Sequence, residues 1–150
     1  MEKLLPGLAP TGGAHRAPLH AGPTLFDLLG TLVWLAGFLF EAAGDAQLLR
    51  FKRDGANAGR LLRTGLWAYS RHPNLFGDAM LWWGFFLIAL GTPYGWATLY
   101  APLFMTYSLL KVSGVALQEK TLAASRPGYA EYMRATPAFV PWFPRRRLSS

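Results

Sequence analysis

The sequence AMLWWGFFLIALGTPYGWATLYAPLFMTYSLL, residues 79–110, contains no Asp, Glu, Lys, Arg or His. At a rise of about 1.5 Å per residue, a single helix of this length would overshoot a hydrocarbon core of about 30 Å. Residues 91–95, in the middle of the run, contain two glycines and a proline, which favour a turn. We therefore predict two transmembrane helices, residues 73–90 and 96–118, joined by a tight turn.

An earlier apolar segment predicts a further span. Residues 28–40 are uncharged, but as a helix they would cover only about 20 Å, so we extend the prediction to residues 25–48. The extension places Glu41 and Asp45 within or at the edge of the bilayer, where an ionised group at the centre costs roughly 2.5–3.5 kcal/mol. Such residues should face protein or water. The predicted fold is an all-α membrane protein with about three transmembrane helices.

Charge predicts the orientation. The chain has 150 residues, is 52% hydrophobic and carries a net charge of +7. Basic residues lie between the first and second spans and after the third, and the excess of Lys and Arg in cytoplasmic loops predicts that both segments are cytoplasmic and the N-terminus is outside. Because the charges segregate by membrane side instead of forming one stripe, the lipid bilayer is the predicted partner and nucleic acid is not. The basic residues are Arg50, Lys52, Arg53, Arg60, Arg63 and Arg71, then Lys120, Arg126, Arg134, Arg145, Arg146 and Arg147.

Both ends of the chain are predicted to lie outside the helical domain, which we place at residues 24–144. Residues 1–23 are rich in proline with little periodicity, which predicts a flexible tail, and they lack the apolar core of about 7–15 residues of a signal peptide. Residues 145–150 form a basic tail. The stretch AFVPWFPRRR, residues 138–147, predicts an interfacial anchor on anionic lipid, with a lid over a bound cofactor as the alternative.

The sequence predicts no metal site. The chain contains no cysteine, which excludes a disulfide framework and a thiolate site. His15 and His20 lie in the N-terminal tail, far along the chain from His72, so a histidine cluster is not expected.

Polar side chains lie at the predicted cytoplasmic ends of the three spans. Glu41 and Asp45 are four residues apart and share a helix face, as do Asn74 and Asp78. The third span ends with Lys111, Gly114, Gln118 and Glu119. A pocket between the three helix ends, open to the cytosol, would satisfy all of these groups.

The stretch YSRHPNLFGD, residues 69–78, predicts an anion site within that pocket. Pro73 suits the first position of a helix, so free amide groups and the positive end of the helix dipole would lie beside Arg71 and His72. A nucleotide phosphate or a carboxylate would suit such a site. The alternative is that Arg71 and His72 contact lipid headgroups while Asp78 pairs with Arg71.

Four blocks resemble a known family. EAAGDAQLLRFKRD (41–54), GLWAYSRHPNLFGDAMLWWG (65–84), LLKVSGVALQEK (109–120) and YAEYMRATPAFVPWFP (129–144) resemble, in this order, a bacterial membrane family of uncharacterised proteins related to the C-terminal domain of steroid 5-alpha-reductases. The resemblance spans about residues 25–144. It implies a bacterial inner-membrane protein whose helices hold NADPH on the cytosolic side and reduce an activated carbon–carbon double bond in a lipid-like enone.

The resemblance also suggests roles for single residues. It implies that Asp45, Lys52, Asn74 and Asp78 bind the cofactor, whereas Glu41 stands where the reductases have Asn. Full-length relatives carry further N-terminal helices that supply the substrate pocket. We therefore expect that a partner chain or an oligomer completes the pocket.

Two alternatives to a reductase stay open. Isoprenylcysteine and phospholipid methyltransferases also resemble this region, and the carboxylate of S-adenosylmethionine would suit Arg71 and His72. Those methyltransferases have two adjacent acidic residues, and the corresponding positions here are Gln118 and Glu119, of which only Glu119 is acidic. The other alternative is a non-catalytic remnant or subunit. Tyr69, Tyr107 and His72 are conceivable proton donors, but we assign no catalytic residue.

Overall fold

The structure is a computed structural model that describes residues 22–112 and 114–145, and it contains no β-strand within those ranges. Within the same ranges, three short 3₁₀ helices and one π-helical turn connect or extend the α-helices, at Gly55–Asn57, Gly65–Ala68, Gly95–Leu99 and Ser108–Val112. The α-helices are α1 (Leu25–Arg53), α2 (Pro73–Leu90), α3 (Tyr100–Tyr107), α4 (Val115–Ser125) and α5 (Tyr129–Ala135).

Helix α1 is fixed at both ends by local chemistry. The Thr24 hydroxyl accepts a hydrogen bond from the Asp27 backbone N–H, and the Asp27 carboxylate accepts one from the Thr24 N–H, which is a capping box. Three basic residues in the last turn complement the helix dipole. The helix continues beyond the predicted end at residue 48, because its stop signal is the extended Asp54 before Gly55 and not the end of the apolar run.

Helices α1 and α2 form a hairpin in which the two backbones touch. A Cβ atom added at Gly77 would lie 2.5 Å from the backbone nitrogen of Glu41, and one at Gly84 would lie 2.7 Å from that of Trp34. Only glycine allows this approach, as in small-residue interfaces between membrane helices. Both glycines therefore make room for the backbone of the neighbouring helix.

The predicted third span is not one continuous helix. A 3₁₀ segment leads into α3, which passes into a π-helical turn ending at Val112, and α4 begins at Val115. Gly114 has φ −90° and ψ −106°, and a Cβ atom there would lie 2.1 Å from the Leu109 carbonyl oxygen, so a side chain would not fit at the break. Within the described ranges, α1 and α2 are the two helices long and apolar enough to cross a membrane.

The C-terminal segment returns to the start of α2. The Arg71 N–H donates to the Pro137 carbonyl and the Trp142 N–H to the Tyr69 carbonyl, both at 2.9 Å. Phe139 packs edge-on against Phe76, which packs in the same way against Phe40 of α1, each pair with ring centroids 5.7 Å apart. These contacts hold residues 137–145 against the polar end of the hairpin, which we define as residues 41–53 and 69–78. Most of the predicted N-terminal tail and residues 146–150 of the basic tail lie outside the described residues.

Candidate functional site

A cavity of about 670 Å³ opens at the polar end of the hairpin. Its walls are the last turns of α1, the connection of residues 54–62, the stretch from Trp67 to His72, and helices α4 and α5. Apolar side chains of all these elements line it, together with a small number of polar groups. A concave, largely apolar site with a few convergent polar groups is the usual form of a small-molecule site.

Arg71 joins the parts of the cavity wall. Its guanidinium is 7% exposed and bonds Glu119 of α4 through Nε at 2.8 Å and Nη2 at 2.6 Å. Nη1 donates to the carbonyls of Met133 and Thr136, at 2.8 and 2.5 Å. The alternative pairing of Arg71 with Asp78 is therefore wrong. Because Glu119 and two carbonyls already occupy the guanidinium, Arg71 supplies structure here more than free positive charge.

His72 is a buried side chain beside Glu119 and Gln118. It is 1% exposed, and neither ring nitrogen has a hydrogen-bond partner among the described residues, although Nε2 lies 3.4 Å from Glu119 Oε1. Burial lowers the pKa of His72 below its usual value, and the opposing effect of the Glu119 carboxylate is smaller. The ring is therefore neutral near neutral pH and lines the cavity with unsatisfied hydrogen-bonding capacity.

Two tyrosines of α5 line the same cavity with different surroundings. The Tyr132 hydroxyl donates to the Trp67 carbonyl, and the Arg63 guanidinium lies 5.4 Å from the centre of its ring. Tyr129 is 2% exposed, and its buried hydroxyl has no hydrogen-bond partner of good geometry among the described residues. Burial, assisted by the nearby Glu119 carboxylate, raises the pKa of Tyr129 to about 12. Tyr129 is therefore a protonated donor at the cavity wall, close to the charged groups of Arg71 and Glu119.

The charged groups that line the outer part of the cavity are mainly basic. Lys52, Arg60 and Arg126 line it, and within the described part of the chain none of the three forms an ion pair. The one acid in this lining is Asp54, whose carboxylate accepts from the Ala56 N–H and from the Asn57 side-chain amide. The outer lining therefore carries an excess of positive charge, and none of its three basic side chains is paired directly with an acid of the described residues.

The other predicted polar residues form a second cluster on the hairpin. The Asn74 side-chain amide donates to Asp45 Oδ1 at 2.9 Å, and the carboxylates of Asp45 and Asp78 lie close enough to Glu41 to act on it electrostatically. None of these four residues lines the cavity. The Gly44 carbonyl accepts a hydrogen bond from the Trp67 indole of the cavity wall, and the Gly44 Cα faces Asn74 of the cluster. The backbone of Gly44 therefore lies between the cavity and the cluster.

The structure thus divides the predicted site into two groups. Lys52, Arg71 and His72 line the cavity, and Glu119 bonds Arg71 without lining it. Glu41, Asp45, Asn74 and Asp78 instead stand on the hairpin beside the cavity. Gln118 lines the cavity, but Lys111 is exposed on the π-helical turn before the break at Gly114. The conceivable donors Tyr69 and Tyr107 do not line the cavity and do not belong to the cluster on the hairpin. Tyr69 instead packs edge-on against Phe143. In residues 22–112 and 114–145, no group of three His, Asp or Glu side chains is placed to hold a metal ion.

Comparison with known proteins gives one match. A family model described as "Protein of unknown function (DUF1295)" matches residues 12–136, which is most of the chain. The chain belongs to the DUF1295 family. No curated protein and no solved structure matches the chain.

The DUF1295 match includes both groups of polar residues. All residues lining the cavity, from Leu48 to Tyr132, lie within residues 12–136, so the cavity is built by the family domain. The match ends before the extended segment of residues 137–145, which lies against the domain without lining the cavity.

Sequence reasoning about this DUF1295 protein missed several cavity residues. Tyr129 belongs to the block YAEYMRATPAFVPWFP that carried the resemblance, but nothing in its spacing indicates a buried hydroxyl. Arg60 and Arg126 were counted only as cytoplasmic charges. A basic residue in a connection is usually solvated, so only their common position around the cavity distinguishes these two arginines from the others.

Proposed function

We propose that this DUF1295 protein is an integral membrane reductase that binds NADPH in the cavity at the polar end of the hairpin. Its reaction in this proposal is the reduction of an activated carbon–carbon double bond in a lipid-like enone, as the resemblance to steroid 5-alpha-reductases implies. The observation that carries the proposal is the set of three unpaired cations, Lys52, Arg60 and Arg126, around an otherwise apolar cavity.

The number of cations favours NADPH over S-adenosylmethionine. NADPH carries a pyrophosphate and a 2′-phosphate, and each anionic group gains from a cation at hydrogen-bond distance. S-adenosylmethionine has one carboxylate and a positive sulfonium, which three positive side chains would repel. Arg71, which the methyltransferase alternative would use for the carboxylate, is already paired with Glu119.

In this proposal the cavity residues bind and orient the cofactor. Lys52, Arg60 and Arg126 bind phosphate oxygens, while Tyr129 and neutral His72 offer hydrogen bonds to the uncharged parts of the cofactor deeper in the cavity. NADPH supplies the hydride when bound, and the apolar wall limits access of water to it. The cluster of Glu41, Asp45, Asn74 and Asp78, which the resemblance connects with the cofactor, stands beside the cavity on the hairpin side. No described residue is assigned as the proton donor.

We propose that the helical stretch of residues 95–112 forms a third crossing and that the cavity faces the cytoplasm of a bacterial inner membrane. Residues 79–110 lack ionisable Asp, Glu, Lys, Arg and His side chains, and the basic residues around the cavity suit the positive-inside rule. A hydrophobic lipid-like substrate would then enter from the bilayer, and a partner chain or oligomer would complete its pocket.

The experiment that tests the function compares the two cofactors and then asks for turnover. Detergent-purified full chain is titrated with NADPH and, separately, with S-adenosylmethionine, following tryptophan fluorescence, because Trp67 is part of the cavity wall. We expect saturable quenching by NADPH and none by S-adenosylmethionine. Loss of the reduced-nicotinamide absorbance on adding steroid or prenyl enones then identifies a reductase. Binding of S-adenosylmethionine alone would show a methyltransferase, and binding of neither would show a non-catalytic subunit.

A further inference from the structure

A second cavity lies on the opposite side of Arg71, between α5 and the extended C-terminal segment. Its volume is about 480 Å³, and its lining includes Arg134 of α5 and Arg145 of the segment. No acidic residue lines it, and neither arginine forms an ion pair within the described residues. The cavity therefore combines two free guanidinium groups with an apolar wall.

The wall of this second cavity exposes large aromatic side chains. Trp142 is 70% exposed and Phe143 is 74% exposed, yet both line the cavity, and Val140 beside them is exposed as well. The segment is not loose, because the Trp142 N–H donates to the Tyr69 carbonyl and the Arg145 N–H to the Ala135 carbonyl. The backbone is thus held in place while its apolar side chains face outward.

The position of the segment relative to the hairpin explains this exposure. The ring series Phe40, Phe76 and Phe139 places the segment at the polar end of two helices that are long and apolar enough to span a membrane. Exposed Trp with neighbouring Arg is typical of the boundary between hydrocarbon and headgroups. The segment lines none of the first cavity, so the alternative of a lid over a bound cofactor lacks support in these contacts.

We propose that the second cavity is a binding site for the phosphate headgroup of an anionic phospholipid. Arg134 and Arg145 bind the phosphate, and Trp142 and Phe143 lie among the glycerol and upper acyl groups. Planar guanidinium groups suit phosphate oxygens, and each basic residue near an anionic membrane surface adds about 1 kcal/mol of attraction, equivalent to about fivefold in affinity. The proposal is independent of the cofactor in the first cavity.

The test uses Trp142 as a local reporter. The full chain is reconstituted in phosphatidylcholine nanodiscs with increasing fractions of brominated phosphatidylglycerol, and the Trp142 signal is the difference between wild type and W142F. We expect quenching to saturate at a lower lipid fraction with brominated phosphatidylglycerol than with brominated phosphatidylcholine. R134Q/R145Q should raise the half-saturating fraction of the anionic lipid by about 25-fold or abolish saturation, following about fivefold for each arginine.

A matched variant controls for total charge. R50Q/R53Q removes two exposed basic residues of the last turn of α1 that line neither cavity, and it should keep the preference for phosphatidylglycerol. Equal quenching by both lipids in wild type would overturn the proposal, as would an equal loss in both double variants or displacement of the lipid by inorganic phosphate. Because Arg134 and Arg145 are exposed, circular dichroism of R134Q/R145Q should match wild type.

Discussion

Arg71 and Glu119 form an ion pair that fastens the beginning of α2 to α4, with Nη2 and Oε1 2.6 Å apart. The same guanidinium bonds the carbonyls of Met133 and Thr136, so one side chain connects three parts of the chain that are distant in sequence. The pair also separates the two cavities, since Arg71 lines both of them. The geometry of the candidate site therefore depends on this contact.

Breaking the Arg71–Glu119 pair should destabilise the protein strongly. Removing one partner leaves the other charge buried and unpaired, which typically costs about 3–5 kcal/mol. We expect E119L to lower the free energy of unfolding in detergent by this amount, and R71M/E119L to lose less than the sum of the two single variants. The control is K120Q, which neutralises an exposed neighbour on α4 and should leave stability unchanged. Additive losses would mean that the pair contributes nothing as a pair.

The glycine contacts of the hairpin should tolerate no added methyl group. G77A places a Cβ atom 2.5 Å from the Glu41 backbone nitrogen and 2.6 Å from the Gly37 carbonyl oxygen, so the helices must separate. We expect a loss of about 1–3 kcal/mol, measured as a lower unfolding midpoint in detergent. G55A, where nothing lies within 4 Å, should unfold like wild type. A wild-type midpoint for G77A would contradict the close packing of α1 and α2.

Acidification should destabilise the protein through His72. Its pKa is lowered in the folded state, so between the folded and unfolded pKa values the unfolded chain binds more protons. The stability contributed by neutral His72 is therefore complete above about pH 6.5 and falls as the pH drops below that value. We expect the wild-type unfolding midpoint to decrease between about pH 7.5 and pH 5.5, and that of H72Q to decrease less. Parallel curves for the two proteins would show that another group titrates.

The two tyrosines of α5 should respond differently to loss of the hydroxyl. The Tyr129 hydroxyl has no partner in the described structure, so Y129F should keep or raise thermal stability while weakening NADPH binding by about 2–10-fold. Y132F removes the donor to the Trp67 carbonyl and should cost about 0.5–1.5 kcal/mol of stability. If Y129F were the unstable variant and bound NADPH normally, the hydroxyl would be structural and our assignment would be wrong.

The two long apolar helices followed from the sequence where local signals mark their ends. Pro73 and Gly91 bound α2, and both predicted bounds of that helix are confirmed. The end of α1 was placed too early, because a charged last turn continues the helix after the apolar run has ended. The break at Gly114 was missed, because a glycine inside a helical pattern is commonly tolerated and only the close Leu109 carbonyl makes it obligatory here.

The candidate site was harder to predict, because its contacts are distant in sequence. The polar residues at the helix ends were recognised, and Asn74 does bond Asp45 across the hairpin. The set of residues that surrounds the cavity depends on where α4 and α5 pack against the hairpin. The periodicity of apolar residues does not predict this position. Arg71 was expected to hold an anion, whereas the structure shows it occupied by Glu119, a partner 48 positions along the chain.

The most direct test of the account is the affinity for NADPH of a variant that lacks the three cavity cations. By isothermal titration calorimetry in detergent, K52Q/R60Q/R126Q should bind NADPH at least about tenfold more weakly than wild type, because charge-assisted hydrogen bonds to phosphate are lost. The matched variant R50Q/R53Q/K111Q removes the same charge from exposed positions outside the cavity and should bind like wild type. Equal NADPH affinity in all three proteins would contradict the proposed cofactor site.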